Sequence, residues 1–574
     1  MIKVFKFIAL LLVATVSPNR AENGETGEPV PEVTLFHGGS LIGSYMETTN
    51  GNKIKAFRGI PYAEPPVGDL RFKPPLPAKT WRGKKLANED QSMCPCQNAF
   101  ERNFKVTGDE DCLYLNVYIP AEKTDRELFS VMVWFHGGGW MTGTGNSHLY
   151  GPQRLLDHNI ILVTGNYRLG AFGFLSTLTE DCPGNYGLKD QLLMLNWVKE
   201  NIETFGGNSS DVTIFGQSAG GASVGLHMFS HLSKGLFHKA ILQSGTPFGE
   251  WAMGDESFIP GRAEKFGQFL NCFRTDESWE PFVDCLRTKS AYDIAATLPK
   301  LFEYDIDPSL IFPAVVEPEI EGAFLTEHPR KVEIAPSNTV PVMVGITSGE
   351  GAMKSGPLLN LRKEDFTSRF REVIPIILFY QNRPEHIQNE ITERLDEFYF
   401  KGEHNWSKDN HLNLTNLITD SCFTWGLDRF LRNRFAATSE GLVAPTYVYI
   451  YDHRGPVSMS EFFYAGPEYY GVCHTDELPY LFIYRIPDVH ADQNDTKMKW
   501  AMPYMWANFA KTGNPTPEPS EIPEWIPADK FPLNYAHIGR KTEEDWTILS
   551  NEEGLMEDRV QFWRGIEDLD PDYA

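Results

Sequence analysis

The sequence predicts an α/β fold class, with a large and mainly parallel central sheet flanked by helices. Short continuous apolar runs, such as residues 131–135 and 160–164, are typical of strands that are buried on both faces. These runs alternate with segments of helical periodicity, and strands that alternate with helices favour a parallel sheet.

The predicted elements follow one another along the whole chain. Short alternating segments near the start predict an antiparallel meander at residues 33–36, 41–45 and 53–57. The later predicted strands cover residues 113–119, 131–135, 160–164, 212–215, 239–244, 341–346 and 446–451. Helices are predicted at residues 188–204, after residue 218, at 497–511 and at 555–566.

The chain has 574 residues, which exceeds the usual size of one hydrophobic core. It contains no linker rich in Pro, Gly or Ser, no internal repeat and no low-complexity run. We therefore expect residues 22–574 to form one large domain, with helical and irregular insertions at about 252–335 and 355–440.

The N-terminal residues have the pattern of a secretory signal peptide, which we assign to residues 1–21. Lys3 and Lys6 precede an apolar run at residues 7–16 that is too short to span a bilayer, and Ala21 is a candidate cleavage residue. No later apolar run is long enough to span a membrane, and residues 568–574 contain no retention or lipid-anchor signal. We therefore expect a secreted, extracellular protein.

The composition is acidic, with a formal net charge of -25 from 52 Lys and Arg against 77 Asp and Glu. This charge disfavours nucleic acid and anionic membranes as partners. It agrees with a well-solvated surface, and no oligomeric state follows from it.

Sequons and cysteines agree with an oxidising, extracellular compartment. The four Asn-x-Ser/Thr sequons are at Asn208, Asn405, Asn413 and Asn494. Among the eight cysteines, Cys272 and Cys285 are candidates to close a short loop, and either Cys94 or Cys96 is a candidate partner for Cys112. No paired Cys-x-x-Cys spacing supports a zinc site, so we expect no metal.

The segment at residues 212–224 has the clearest chemical meaning. It begins as a buried apolar strand, passes through Gly216-Gln-Ser218-Ala-Gly220 and continues as a helix. This is the context of a nucleophile elbow, in which the turn exposes the serine hydroxyl and the helix directs N–H groups at developing negative charge. The five-residue pattern is common by chance, so its meaning depends on the partners of Ser218.

A serine hydroxyl needs a base, and the base needs an orienting acid. Glu350 follows the strand predicted at 341–346 among small residues, and His474 lies in a loop before the apolar run 478–482. The order Ser, acid, His predicts Ser218 as the nucleophile, Glu350 as the acid and His474 as the base. The alternatives are a solvated turn position for Glu350 and a buried core position for His474.

Three consecutive glycines, Gly137-Gly138-Gly139, follow the strand predicted at 131–135. Glycines let backbone N–H groups approach an oxyanion closely, and the residue after the nucleophile, Ala219, supplies a further N–H in such sites. A flexible loop is the alternative. Together with the elbow, the acid and the histidine, this run predicts a serine hydrolase that uses no cofactor.

The chain resembles the type-B carboxylesterase/cholinesterase family over about residues 30–566. The matching segments are Phe57-Arg-Gly-Ile-Pro-Tyr-Ala63, Glu110-Asp-Cys-Leu-Tyr-Leu-Asn-Val-Tyr118, Asn166-Tyr-Arg-Leu-Gly170, Gly184-Asn-Tyr-Gly-Leu-Lys-Asp-Gln191, Gly216-Gln-Ser-Ala-Gly-Gly-Ala-Ser-Val224 and Ala240-Ile-Leu-Gln-Ser-Gly245. The resemblance implies an α/β-hydrolase fold with a deep gorge, and hydrolysis of small-molecule esters.

The same resemblance implies roles for individual residues. It makes Ser218, Glu350 and His474 the catalytic residues. It makes the N–H groups of Gly138, Gly139 and Ala219 the oxyanion hole. It places Gln217 beside the nucleophile and Ser244 and Glu477 in a polar network behind the triad. It also implies the disulfides Cys94–Cys112 and Cys272–Cys285, with Cys96 as an alternative in the first.

Departures from the cholinesterases indicate an uncharged substrate. Gln217 stands before the nucleophile where cholinesterases have Glu, and Met353 stands where they have an aromatic residue. The loop between Cys94 and Cys112 is shorter and contains no Trp, so the choline-binding aromatic is absent. The C-terminal cysteine of cholinesterase dimers is also absent.

The expected substrate is therefore an uncharged, apolar ester. Phe248 and Trp251 are predicted to line an acyl pocket, with plain core packing as the alternative. Among family branches, the elbow motif and the Gly471-x-x-His474-x-x-Glu477 pattern resemble secreted insect esterases, including the juvenile hormone esterases. General detoxifying and odorant- or pheromone-degrading esterases are alternatives, and an intact triad disfavours a non-catalytic adhesion relative.

Overall fold

The computed structural model describes residues 29–102, 104–122, 128–273, 278–332, 339–438, 444–483, 492–541 and 545–569. The signal peptide predicted for residues 1–21 lies outside these ranges.

The strands of the described residues are numbered here in chain order. They are β1 (Glu32–Thr34), β2 (Ser40–Ile42), β3 (Ser44–Glu47), β4 (Lys53–Pro61), β5 (Lys84–Leu86), β6 (Cys96–Gln97), β7 (Val106–Thr107), β8 (Tyr114–Pro120), β9 (Phe129–Phe135), β10 (Ile161–Gly165), β11 (Gly207–Gln217), β12 (Lys239–Gln243), β13 (Val342–Thr347), β14 (Thr446–Tyr451), β15 (Asn534–Ile538) and β16 (Leu549–Glu553).

Eleven strands form one sheet, in the order β16-β15-β14-β13-β12-β11-β9-β10-β8-β4-β3. Neighbouring strands are parallel from β15 through to β10. Antiparallel pairs complete the sheet at both ends. The prediction of an α/β fold with a large, mainly parallel central sheet is therefore confirmed.

The N-terminal strands do not form the single antiparallel meander predicted from their alternation. β1 and β5 flank β2 in a separate three-stranded sheet, whereas β3 pairs with β4 at the edge of the central sheet. Gly43 separates β2 from β3, and a Cβ there would lie 2.5 Å from the carbonyl oxygen of Ala56. The chain changes sheet at this crowded glycine, which alternation alone does not reveal.

The α-helices of the described residues are likewise numbered in chain order. They are α1 (Gly170–Phe174), α2 (Tyr186–Asn201), α3 (Ala219–Phe229), α4 (Ile259–Phe269), α5 (Trp279–Arg287), α6 (Ala291–Ala295), α7 (Ala352–Leu361), α8 (Lys363–Ser368), α9 (Phe370–Ile377), α10 (Glu385–Leu395), α11 (Lys408–Thr419), α12 (Trp425–Thr438), α13 (Leu478–Leu481), α14 (Gln493–Thr512) and α15 (Glu557–Glu567). Single π-helical turns occupy Asp396–Phe400 and Asp420–Thr424. Helices α4 to α12 lie in the two predicted insertions.

Both faces of the central sheet are packed, as the continuous apolar strands predict. On β9, Val131, Val133 and Phe135 belong to one hydrophobic cluster, whereas Met132 and Trp134 belong to another. Residues of α3 lie in the first cluster and residues of α14 in the second, so the two helices cover opposite faces. Each large apolar side chain buried in this way stabilises the fold by roughly 1.5–3 kcal/mol, which holds β11 and α3 firmly in place.

Two disulfides occur in the described residues. Cys94–Cys112 joins Cα atoms 5.0 Å apart and Cys272–Cys285 joins Cα atoms 5.4 Å apart. Cys96 is a buried free thiol whose Sγ lies 3.6 Å from Oγ1 of Thr142. Cys94, and not Cys96, is therefore the partner of Cys112.

Within the described ranges, no helix combines the length and apolar character that a membrane span needs. The same ranges contain no group of His, Cys, Asp and Glu side chains arranged to hold a metal ion.

Candidate active site

Ser218 occupies the turn between the end of β11 and the start of α3. Its backbone has φ 58° and ψ -125°, a conformation that residues with a side chain rarely adopt. The turn is held from both sides, because the Ser218 N–H donates to the Gln243 carbonyl at 2.8 Å and the Ser218 carbonyl accepts from the Ala222 N–H at 2.9 Å. A strained strand-to-helix turn with serine at its apex is what a nucleophile elbow requires.

The two glycines of the motif permit this turn because other backbone passes too close for a side chain. A Cβ on Gly220 would lie 2.0 Å from the carbonyl oxygen of Phe135. A Cβ on Gly216 would lie 2.5 Å from the carbonyl of Gly220. A side chain at either position would therefore displace the turn that carries Ser218.

Glu350 and His474 form a buried pair next to this turn. Oε1 of Glu350 accepts from the Thr347 N–H at 2.7 Å, and Oε2 lies 2.5 Å from Nδ1 of His474. Because Nδ1 donates to the carboxylate, Nε2 is left as the basic nitrogen. His474 and Ser218 line the same cavity, where the ring of Phe423 lies 4.9 Å from the imidazole.

The glycine run lies directly against Ser218. A Cβ on Gly137 would be 3.1 Å from Cβ of Ser218. Gly138 and Gly139 have φ angles of 110° and 62°, and both line the cavity. The N–H groups of Gly138, Gly139 and Ala219 donate to no backbone carbonyl in the described part of the chain, so they are available to an oxyanion.

The cavity over Ser218 has a volume of about 730 Å³, within the range of small-molecule sites. Most of its wall is apolar, and much of it comes from the insertion helices and from loops. Its aromatic lining residues are Phe100, Tyr150, Trp251, Phe379, Phe423, Phe462 and Phe463. Apart from Trp251, sequence reasoning missed these rings, because they come from distant segments that share no motif.

Only one of the two residues predicted to line an acyl pocket reaches the cavity. Trp251 lines it, and its Nε1–H donates to the Cys422 carbonyl at 2.7 Å, which fixes the indole ring. Phe248 is buried behind the wall, with ring centroids 5.8 Å from Phe229 and 6.3 Å from Phe430. Phe248 therefore supports the wall through α3 and α12 and does not line the cavity.

Gln217 is buried beside His474, the predicted base. Its Nε2 lies 3.1 Å from Nε2 of His474. On its other side, a Cβ on Gly137 would lie 2.8 Å from Oε1 of Gln217. The residue before the nucleophile thus presents a neutral amide to the imidazole, where a Glu would present a carboxylate.

Glu477 lies near the predicted triad in a buried chain of hydrogen bonds. Its Oε1 accepts from Nε2 of Gln243 at 3.2 Å, and Oε1 of Gln243 accepts from Nε1 of Trp506 at 3.0 Å. Burial, and then the negative charge of Glu350, raises the pKa of Glu477 to about 8. Ser244 is also buried, but its hydroxyl has no hydrogen-bond partner among the described residues. The structure therefore does not connect Ser244 to the hydrogen bonds of Glu477.

The four sequons differ in exposure. Asn405 is exposed, whereas Asn208, Asn413 and Asn494 are partly buried. Asn208 lies in β11, Asn413 in α11 and Asn494 in α14. Asn405 therefore offers the best access for a glycan.

Known proteins resemble the chain over almost its full length. The sequence model of the Carboxylesterase family matches residues 29–563. "Juvenile hormone esterase" of Tribolium castaneum is 36% identical over 550 residues, which cover 92% of each chain. "Esterase FE4" of Myzus persicae is 35% identical and covers 97% of this chain and 95% of its own. "Acetylcholinesterase" of Electrophorus electricus is 32% identical, with 84% and 81% covered.

These matches confirm the family resemblance that the motifs indicate. The family model spans far more than half of the chain, and it includes the elbow, the glycine run and the Glu350–His474 pair. The chain belongs to the carboxylesterase family, and it is a serine ester hydrolase with the α/β-hydrolase fold.

Proposed function

We propose that this chain is a secreted hydrolase that cleaves uncharged esters with apolar chains through an acyl-enzyme on Ser218. The observation that carries the proposal is the position of Ser218 and His474 on the wall of a largely apolar cavity of about 730 Å³. Such a cavity favours an apolar chain because it removes the chain's surface from water while the ester group lies against Ser218 and His474.

In the first proposed step, Oγ of Ser218 attacks the ester carbonyl carbon while its proton moves to Nε2 of His474. Glu350 stabilises the resulting imidazolium through its 2.5 Å contact with Nδ1. The N–H groups of the glycine run and of Ala219 donate to the oxyanion of the tetrahedral intermediate.

The intermediate then expels the alcohol, which takes the proton from His474, and the acyl group stays on Ser218 as an ester. In the second step a water molecule gives a proton to His474 and attacks the acyl carbonyl carbon. Collapse of this intermediate releases the carboxylic acid and returns the proton to Oγ. The same oxyanion donors serve both halves of the cycle.

Three features of the cavity wall support a neutral substrate. Lys354 on the wall is paired with Asp307 at 2.7 Å. Beside the nucleophile stands the neutral amide of Gln217. The loop closed by the Cys94–Cys112 disulfide contributes the ring of Phe100 to the wall, but it has no Trp to hold a quaternary ammonium.

Juvenile hormone is the first candidate substrate, because the Tribolium castaneum relative that is 36% identical is named for its hydrolysis. A general carboxylesterase is the second candidate, because Esterase FE4 is 35% identical over a similar length.

The test compares kcat/KM on juvenile hormone with kcat/KM on p-nitrophenyl esters of increasing acyl length. A hormone esterase should prefer the hormone over every member of the series, with a low KM for it. A flat profile with no preference for the hormone would support the general carboxylesterase. Absence of activity on all neutral esters would contradict both candidates.

Secretion is proposed from the N-terminal pattern and the sequons. The full chain expressed in insect cells should appear in the medium with its N-terminus cleaved near Ala21. Glycosidase treatment should lower its mass, and Asn405→Gln should remove one glycan. An uncleaved protein that stays inside the cell would contradict the proposal.

A further inference from the structure

Asp476 is a buried carboxylate close to the catalytic base, and the proposed mechanism does not use it. Only 5% of the Asp476 surface is exposed, and Asp476 lies two positions after His474 in the chain. The Asp476 N–H donates to the Cys473 carbonyl at 3.0 Å, so the residues between them form a tight turn that carries the imidazole.

Both oxygens of Asp476 accept hydrogen bonds, and the donors come from two different parts of the chain. Oδ2 accepts from the Cys473 N–H at 2.7 Å, within the turn that carries the base. Oδ1 accepts from the Met459 N–H at 2.6 Å. The Ser458 hydroxyl lies 2.9 Å from Oδ2 and 3.1 Å from Oδ1, so it serves either oxygen.

Met459 and Ser458 begin a stretch of the cavity wall, residues 458–464, here called the wall segment. Met459, Phe462 and Phe463 of this segment line the cavity over Ser218. Its far end is fixed to the loop closed by Cys94–Cys112, because the Tyr464 hydroxyl donates to the Glu101 carbonyl at 2.8 Å. The near end is fixed by Asp476.

The charge of Asp476 is balanced by these donors and not by a cation in contact with it. Among the described residues, no Lys, Arg or His nitrogen lies within 4 Å of its carboxylate. Arg454 adds a favourable charge without an ion-pair contact, and its own guanidinium donates to the Gly471 carbonyl at 3.1 Å. A buried carboxylate without a cation in contact is costly, so its N–H and O–H donors are essential to it.

We infer that Asp476 is a positioning residue that fixes the turn bearing His474 to the wall segment. One carboxylate then sets both the placement of the base and the shape of the apolar wall. The inference rests on the proposed role of His474 as base. The inference predicts two separate effects of replacing Asp476. One is a lower kcat with every ester, and the other is a higher KM for esters with long chains.

The first test replaces Asp476 with Asn, which keeps the shape but turns one acceptor into an N–H2 donor that faces other donors. We expect kcat to fall about tenfold on both p-nitrophenyl acetate and p-nitrophenyl octanoate, the size of effect usual for a hydrogen bond to a charged group. KM should rise several-fold on the octanoate alone, because only the long chain reaches the wall segment.

Ser458→Ala tests the wall contact alone, since it leaves the Cys473 N–H bonded to Asp476. It should raise KM for the octanoate and lower kcat less than Asp476→Asn does. Ser458→Thr keeps the hydroxyl and should restore the parent KM. These two variants keep the inference testable if Asp476→Asn does not fold.

The matched control is Ser130→Ala, which removes a hydroxyl that donates to Asp211 at 2.5 Å between β9 and β11. The Ser130→Ala variant loses a hydroxyl-to-carboxylate hydrogen bond of the same kind, but at a position outside the cavity wall. Its kcat and KM on both esters should equal the parent values. If Asp476→Asn matched this control, or if it changed KM equally for the short and the long ester, the inference would be overturned.

Failure of the inference is distinguishable from failure of the proposed mechanism. If His474→Gln abolishes hydrolysis while Asp476→Asn equals the parent, only the positioning role is lost. If His474→Gln retains the parent rate, the assignment of His474 as the base is incorrect. The inference that Asp476 positions the base is then contradicted as well.

Discussion

Nδ1 of His474 lies 2.5 Å from Oε2 of Glu350, and both side chains are almost completely removed from solvent. Glu350 follows β13 and His474 follows β14, and these two strands are parallel neighbours in the central sheet. The sheet thus brings together two residues that are 124 positions apart in the chain. Burial strengthens their attraction because little water screens it.

Replacing Glu350 with Gln keeps the side-chain shape and removes the charge that stabilises the imidazolium. We expect kcat/KM to fall by about 10⁴, as for comparable triad acids. Glu385→Gln, an exposed position at the start of α10, is the matched control and should keep the parent rate. A Glu350→Gln variant as fast as the parent at every pH would point instead to Asp476 or Glu477 as the acid.

Gly220→Ala should disrupt the nucleophile turn, because its Cβ would meet the Phe135 carbonyl oxygen at 2.0 Å. We expect loss of esterase activity together with a lower melting temperature. Gly261→Ala in α4 is the control, since a Cβ there has no heavy atom within 4 Å. That change should leave activity intact and stabilise the helix by roughly 0.5–1 kcal/mol. Full activity in Gly220→Ala would contradict the structure of the turn.

Gln217→Glu should shift substrate preference toward cations. The parent should have a higher kcat/KM for 3,3-dimethylbutyl acetate than for acetylcholine, which differs from it mainly by the charge. A carboxylate next to His474 should move this ratio toward the choline ester by about tenfold or more, the value of a close, partly desolvated charge pair. The overall charge of -25 attracts cations and so opposes the preference for the neutral ester expected of the parent, but it is screened beyond about 8 Å at physiological salt.

The control for that experiment is Gln493→Glu, which adds the same charge at an exposed position at the start of α14. It should leave the ratio of the two kcat/KM values unchanged. A parent enzyme that already prefers acetylcholine at physiological salt would contradict the assignment of a neutral substrate, and Phe100 would then be the first ring to examine for cation binding.

Glu477→Gln should change how stability depends on pH. Burial and the charge of Glu350 raise the pKa of Glu477 from an ordinary 4.5 to about 8. Between these values the folded carboxyl keeps its proton while the unfolded one is ionised, so stability falls as pH rises, by about 1.4 kcal/mol for each unit of pKa difference. The contribution is complete below the ordinary pKa and is lost by about pH 8.

Urea unfolding at pH 5, 6.5 and 8 measures this effect as the free energy of unfolding at each pH. The parent should lose more stability than Glu477→Gln between pH 5 and 8. Burial also raises the pKa of Asp476 to about 6, so both proteins should share a smaller loss below that pH. An identical pH dependence in the two proteins would show that Glu477 is not held neutral in the folded state.

Much of the sheet could be predicted from local signals. The strand predicted at 446–451 coincides with β14, and the elbow strand leads into Ser218 as its motif requires. The last two strands, β15 and β16, were not predicted. β16 reads Leu-Ser-Asn-Glu-Glu and is only partly buried, because it lies at the antiparallel edge of the sheet and needs no continuous apolar run.

The positions of Ser218, Glu350 and His474 could be predicted better than the walls of the site. Ser218, Glu350 and His474 carry signals in motif, order and strand context. Phe423 comes from a π-helical turn and Phe463 from a loop, and neither position has a periodic or motif signal. The direction of a side chain after a turn is set by tertiary packing, which is why the neighbours Phe248 and Trp251 face different surroundings.

The site of covalent labelling by an organophosphate tests the central claim most directly. If Oγ of Ser218 is the nucleophile, mass spectrometry of the inhibited enzyme should find one phosphoryl group per chain, on the peptide that contains Ser218. Ser218→Ala should take up no label and should lose several powers of ten in kcat/KM. A label on any other residue, or full activity in Ser218→Ala, would contradict the assignment of Ser218 as the nucleophile.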